Sequence, residues 1–456
     1  MVAGVLRHGH APTLPEPAER GRRLCQKRKT AANNCIYDFF SLFLQTAFIH
    51  YNTSSNHSTS LMKIVHISMA DFNGAGLCAY RICKAQREMG IDSQMVVLNK
   101  RHHDDFIHQC GKKRYFYHSV LRKTKKLLRL KDDVNTCRRL GAQYHAVYTL
   151  PVSSIDLSYE RLLREADLLH IHWVGGYLDY PTFFEAFKDK PIVFTLHDEN
   201  ALYGIANIEQ QLLADNPLEK KYYRMKYDSL HKVKRLGVVF LSRMAYDLYG
   251  HHEMVADRPT TIIHNSVDTR FYEPHDRSEA RRRLGLAPET PVFALCACNI
   301  NEPRKGLEVL SQTLRRISPD CRVLAIGNNR SRPRRHWDNV VETGPASGPE
   351  ELSWRLSAAD YFCLPSAKEN FAQAPIEAMA CGLPVVAFPC SGTEELITPA
   401  NGIRCSDFTS EALEDGLRRA MATRYDPTAI RSDATARFSP KIICRQYLDF
   451  YKRVMA

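Results

Sequence analysis

YFCLPSAKENFAQAPIEAMACGLPVVAF, residues 361–388, contains a strand, a loop, a helix and a second strand. YFCLP and PVVAF are short apolar runs, and PIEAMACG reads as a helix with Gly382 as its stop. Strands this apolar on both faces suit a parallel sheet covered by helices. In such sheets ligands bind beyond the carboxyl ends of the strands. Glu369 follows the first strand, so the loop should aim it into a cleft, with Asn370, Phe371 and the backbone amides of residues 371–374 beside it. Glu377 lies in the first turns of the helix, where a carboxylate suits the macrodipole and can be purely structural.

The same alternation runs outward in both directions. PVFALCACN, RVLAIGN and NVVETG precede the quoted stretch, with helices between them. Earlier, KIVHIS, DSQMVVLNK, LLHIHW, PIVFTLHD, GVVFLS and TTIIHN form a first series. Two series of alternating strands and helices imply two doubly wound Rossmann-like α/β domains. The polar stretch NSVDTRFYEPH, 265–275, reads as the linker. The expected division is an N-terminal domain over 62–270, a C-terminal domain over 271–438, and a last helix over 439–456 packing back toward the first domain. Residues 1–61 read as a disordered or spurious extension: basic, rich in Pro and Gly, and without periodicity. Within them, 36–51 are apolar but fall short of the ~20 residues a spanning helix needs.

The chain of 456 residues has a formal charge of +13, which favours an anionic partner such as nucleic acid, a membrane surface or a phosphorylated metabolite. Fourteen cysteines are scattered without a CxxC pair or zinc-type spacing, as expected of reduced core residues in a cytoplasmic protein.

Several further motifs fall at strand ends. DFNGAG opens the first helix, and Gly74, Gly76 and Ala79 fit G-x-G-x-x-A. The next strand ends in Asn99 and Lys100 rather than an acidic residue, so a nicotinamide fingerprint is incomplete. A glycine turn that lets backbone N–H groups approach a ligand and a tight turn with no ligand both remain open. His197 and Asp198 follow PIVFT, where an imidazole could bond a substrate hydroxyl or play a structural part. His170 and His172 alternate along a strand, and structural histidines are the commoner outcome there. Arg304 and Lys305 sit just before a helix, with Gly306 relieving crowding. Two fixed cations at a helix start suit a pyrophosphate, although an RK pair is also ordinary surface charge. No Walker A pattern occurs.

In combination, these motifs resemble the retaining GT-B glycosyltransferases of family 4, with their S-x-x-E-[GN]-F…EAMACG-x-P-V-V-A segment. NGAG, TLHD, HNSVDTRFY, PRKG and EAMACGLPVVAF extend the resemblance from about Met62 to the C-terminus. IHW and TLHD are similar to the subgroup that builds capsular and extracellular polysaccharides. ENALYGIANIEQ stands where that subgroup often has an aromatic, glycine-rich segment.

The resemblance implies a GT-B fold with a central cleft. The 62–270 domain would take the acceptor and the 271–438 domain the nucleotide sugar. Glu369 would contact the donor sugar and His197 the sugar or acceptor side, as the catalytic pair. Arg304 and Lys305 would hold the diphosphate, Gly74 and Gly76 would let the N-terminal loop approach that diphosphate, and Glu377 would bind the ribose, with Asn370 and Phe371 also on the donor side. No cofactor is implied, and no metal ligands are assigned, because two cations already face the phosphates. The implied partners are a nucleotide sugar and a glycan or lipid-linked acceptor; nucleic acid is not one.

Residues 112–139 carry eleven Lys/Arg against two Asp. Such a stretch suits either a solvated charged segment or peripheral contact with an anionic membrane on its inner face. Residues 330–338 form a second basic cluster. Three readings follow: a retaining sugar transferase, a nucleotide-sugar epimerase or phosphorylase on the same fold, and a non-catalytic nucleotide-sugar or polyanion binding protein.

Overall fold

Two parallel sheets organise the chain. The first contains β1 (Lys63–Ala70), β2 (Asp92–Asn99), β3 (Ile107–Gln109), β4 (Leu168–Ile171), β5 (Ile192–Leu196), β6 (Leu236–Phe240) and β7 (Thr260–Ile262), in the order β3-β2-β1-β4-β5-β6-β7. The second contains β8 (Val292–Asn299), β9 (Arg322–Asn328), β10 (Val340–Gly344), β11 (Tyr361–Leu364), β12 (Val385–Ala387) and β13 (Gly402–Arg404), in the order β10-β9-β8-β11-β12-β13. The computed structural model describes residues 62–72, 74–110, 133–144, 147–207, 213–330 and 337–456. The extension at 1–61 therefore lies outside the described residues, as do most of the basic stretch 112–139 and residues 331–336 of the second basic cluster.

Both sheets are buried on both faces, which is why their strands read as unbroken apolar runs. In the second sheet the period of two is plain. Ala294, Leu324, Phe362 and Val385 join one core. Phe293, Val323, Cys363 and Val386 join the other. In the first sheet, Val65, Ile67, Leu169 and Phe194 face one side. Ile64, Leu168, Val193 and Val239 face the other, where they meet Tyr447, Phe450, Tyr451 and Val454 of the C-terminal helix Pro440–Met455. That helix belongs by chain order to the second series, yet it covers the first sheet.

Strand order reverses between β1 and β4 in the first sheet and between β8 and β11 in the second. At such switch points neighbouring strands send their loops to opposite sides, opening a crevice at the carboxyl edge. The motifs DFNGAG, HWVGG, NEPRKG and SAKENF follow β1, β4, β8 and β11 respectively. Topology thus brings the loops singled out from the sequence to the two crevices.

Candidate functional site

The loop after β8 turns through Pro303–Lys305 into helix Leu307–Ile317, with Gly306 at φ +74°. A Cβ on Gly306 would lie 2.1 Å from the carbonyl oxygen of Pro365, so only glycine lets this turn meet the loop after β11. The Ala367 amide donates to the Arg304 carbonyl at 2.8 Å and locks the two loops together. Lys305 Nζ then reaches Glu369 Oε1 at 2.5 Å, with both side chains largely buried. Arg304 turns elsewhere: its guanidinium bonds Glu302 and the Lys368 carbonyl. The two cations thus share a turn but hold different partners.

Asn370 and Phe371 join this loop to the first sheet. Asn370 Nδ2 donates to the Leu196 carbonyl at 2.8 Å, at the end of β5 and one residue before His197. Phe371 was expected on the donor side, but its ring is buried and stacks on His264 with centroids 4.7 Å apart. Its carbonyl accepts from Asn265 Nδ2 at 2.9 Å. Its side chain therefore packs between the halves instead of facing the crevice.

Glu377 lies on the helix that follows this loop. On helix Gln373–Ala380 it is buried, and its Oε1 pairs with Arg81 Nη2 at 2.6 Å. Arg81 belongs to the first helix, Gly74–Glu88, and also donates to the Ser266 carbonyl, Gln373 Oε1 and Tyr272 OH. The carboxylate expected to meet a ribose is here the acceptor of a buried link across the halves.

The glycine loop serves the same junction. The Gly74 carbonyl accepts from Gln373 Nε2 at 2.8 Å. A Cβ on Gly76 would stand 2.4 Å from the Ala70 carbonyl oxygen, so the strand-to-helix turn itself demands glycine.

His197 is half-buried at the end of β5, and its Nε2 lies 3.0 Å from His172 Nδ1. Burial pushes its pKa down to about 3, so the ring is neutral at ordinary pH. Asp198 accepts from Trp173 Nε1 at 2.7 Å and from the Asn200 amide at 2.9 Å. Burial raises its carboxyl to about 6 against those hydrogen bonds. Lys368 Nζ pairs with Glu199 Oε1 at 2.8 Å, a further bridge between the halves.

Sequence reasoning passed over several of these partners, and their signal was polarity in the wrong place. Arg81 and Gln86 sit among Cys78, Ile82 and Ala85 on the buried stripe of a helix. His66 occupies the middle of an apolar strand with no exposure. Lys226 is buried on helix Pro217–Leu230, donating to Asn200, with its pKa lowered to about 7 by burial. His170 and His172 are fully buried, as structural histidines would be.

Chemically, the crevice loops offer an ammonium beside a carboxylate, a second cation on the same turn, and a neutral imidazole from the opposite sheet. Such a set can neutralise a phosphate while accepting hydroxyl hydrogens.

Known proteins resemble this chain in both sequence and fold. Residues 291–423 match the family described as Glycosyl transferases group 1. A GDP-mannose-dependent monoacylated alpha-(1-6)-phosphatidylinositol monomannoside mannosyltransferase of Corynebacterium glutamicum is 32% identical over 171 residues, covering 32% of this chain and 44% of that protein. A D-inositol 3-phosphate glycosyltransferase of Nocardia farcinica is 28% identical over 305 residues, covering 60% of this chain and 64% of that protein. The chain thus spans less than two thirds of the length of these two relatives. Among solved structures, HepE of Anabaena in complex with UDP and glucose aligns with a TM-score of 0.60 at 18% identity, over 85% of this chain and 98% of that one. A sucrose-phosphate synthase from Thermosynechococcus elongatus aligns with a TM-score of 0.59 at 18% identity, over 86% and 99%. Residues 291–423 accordingly resemble a glycosyl transferases group 1 domain, and the two Rossmann-like α/β domains form a GT-B fold.

Proposed function

We propose that the protein is a retaining glycosyltransferase that moves a sugar from a nucleoside-diphosphate sugar to a hydroxyl of a glycan or lipid-linked acceptor, in capsular, extracellular or lipopolysaccharide synthesis. The observation that carries this reading is the Lys305–Glu369 pair at the β8/β11 crevice, joined through Asn370 to the strand end that bears His197. The donor lies on the 271–438 side and the acceptor on the 62–270 side, with 439–456 bracing the latter.

The residues suit the charge that the reaction develops. As the anomeric C–O bond to the diphosphate breaks, negative charge grows on the leaving phosphate and positive charge on the sugar ring. Lys305 and Arg304 meet the first; Glu369 accepts sugar hydroxyls and stabilises the second. A donor entering here exchanges the Lys305–Glu369 bond for a phosphate on the ammonium and a hydroxyl on the carboxylate. The acceptor hydroxyl attacks from the face the diphosphate leaves, forming the new C–O bond, and its proton passes to the departing phosphate oxygen. Two protein cations do the work a divalent ion does elsewhere, so the transfer needs no metal. The relative that uses GDP-mannose and the neighbour solved with UDP and glucose support a nucleotide-sugar donor without choosing between the bases.

A panel of UDP- and GDP-sugars, assayed with a chelator present, tests this. Glu369→Gln is expected to lower transfer by about 10²-fold or more while UDP or GDP still binds. Unchanged turnover would remove Glu369 from the mechanism. Peripheral membrane contact through 112–139 belongs to the same proposal. Its mark is retention on anionic liposomes that weakens with salt, and no retention at low salt refutes it.

A further inference from the structure

The geometry points to a tautomer relay, Gln86–His66–His172–His197, that fixes His197 with its hydrogen on Nε2 and presents Nδ1 as a hydrogen-bond acceptor for a carbohydrate hydroxyl. The relay begins beneath the first sheet. Ser93 Oγ donates to Gln86 Oε1 at 2.8 Å, and Gln86 Nε2 donates to Tyr451 OH at 3.1 Å on the C-terminal helix. The amide oxygen, so oriented, also accepts from His66 Nε2 at 2.8 Å. A neutral imidazole carries one hydrogen, so donation from Nε2 leaves Nδ1 bare. His66 Nδ1 lies 3.0 Å from His172 Nε2, which must therefore donate. His172 Nδ1 is bare in turn and lies 3.0 Å from His197 Nε2. His197 ends the relay with its hydrogen committed inward, and among the described residues no donor is recorded at its Nδ1.

A side branch obeys the same rule. Tyr451 accepts from Gln86 and passes its own hydrogen to His170 Nδ1 at 2.7 Å, and His170 Nε2 then donates to Thr195 Oγ1 at 2.8 Å. Every ring nitrogen of His66, His170 and His172 is used once. Burial supports the assignment by holding His66 near 4 and His197 near 3, so each ring carries a single hydrogen at neutral pH. The relay positions; it does not export protons, because the Gln86 amide at its inner end cannot take one up. Gln86, His66 and His172 are accordingly positioning residues. His66, His170 and His172 also have nitrogens within 4.8 Å of one another, a spacing compatible with a metal ion. Their hydrogen bonds favour the relay.

The tautomer stands on this geometry alone; its use by a sugar hydroxyl rests on the transferase reading. Nitrogen-15 NMR of the histidine rings in the full chain tests the first. Wild type is expected to show His197 protonated at Nε2 and bare at Nδ1. Gln86→Leu is expected to mix the two tautomers of His197. Gln86→Glu restores the wild-type form, since a carboxylate accepts from His66 equally well and reverses only the Tyr451 branch. His197 protonated at Nδ1 in wild type overturns the proposal, as does a tautomer indifferent to Gln86→Leu. So does stoichiometric Zn²⁺ binding that shifts His66, His170 and His172 together. In the second arm, UDP-glucose or GDP-mannose is expected to move the His197 Nδ1 resonance where UDP or GDP alone does not. If a nucleotide sugar protects against heat yet leaves that resonance unmoved, the hydroxyl assignment fails. If neither nucleotide sugar protects, the failure belongs to the transferase reading, and the ring spectra still decide the relay.

Discussion

Arg81 and Glu377 form an ion pair whose two ends are unequally supported. Arg81 has three other acceptors in Ser266, Gln373 and Tyr272, whereas Glu377 has, besides the guanidinium, the Tyr272 hydroxyl. Removing one end of a buried pair strands the other, and a stranded carboxylate costs about 3–5 kcal/mol. Arg81→Met is therefore expected to destabilise by about that amount. Glu377→Gln leaves the guanidinium hydrogen-bonded and should cost only about 1–2 kcal/mol. Urea unfolding of the two variants measures the asymmetry; equal losses would show that the pair does not hold the halves as described. The pair was illegible in the sequence for a simple reason. Its members lie 296 residues apart, and no local pattern links them. What the sequence did show was Arg81 on an apolar stripe, a position that requires some buried acceptor.

At the scale of elements, the long strands were readable because burial on both faces forces apolar, β-branched runs. β3 and β13 were missed: each is a three-residue strand at a sheet edge, too short to show a period. Natural edges are often short because long unpaired ones invite misassociation; β7 is an equally short edge strand, and the longer apolar run TTIIHN around it made it readable. The turn between β8 and its helix was legible for the opposite reason. PRKG combines a proline and a glycine, each with a defined backbone preference, with two cations. Gly306→Ala tests how far that turn governs the crevice. The added Cβ meets the Pro365 carbonyl and faces a left-handed backbone, so the two loops must separate. A stability loss of about 2 kcal/mol or more is expected, together with weaker binding of UDP or GDP, read by calorimetry. Wild-type affinity in a folded Gly306→Ala protein would detach the turn from nucleotide binding.

For the whole molecule, the four clustered histidines set a limit on acid tolerance. His66 is held near 4 and His197 near 3, and His170 and His172 lie well below the ordinary value of 6.5; burial is the largest cause for each. In the unfolded chain all four titrate at about that ordinary value. The unfolded state therefore binds more protons below pH 6.5, and stability rises with pH across that window. The contribution is complete above about pH 6.5 and is lost as pH falls toward the folded values near 4 and 3. Asp198 opposes this. Its folded pKa of about 6 exceeds the unfolded 3.8, so its contribution is present at low pH and lost as pH rises from about 4 to 6. The four histidines outnumber the one raised carboxyl, so the unfolded state takes up more protons than the folded one as pH falls below 6.5. Urea-unfolding free energies at pH 7, 6 and 5 should fall with increasing steepness, and His170→Gln should make the fall shallower. A flat profile over that range would mean that the cluster already carries protons in the folded protein. The alternating hydrogen bonds beneath the first sheet would then have no basis.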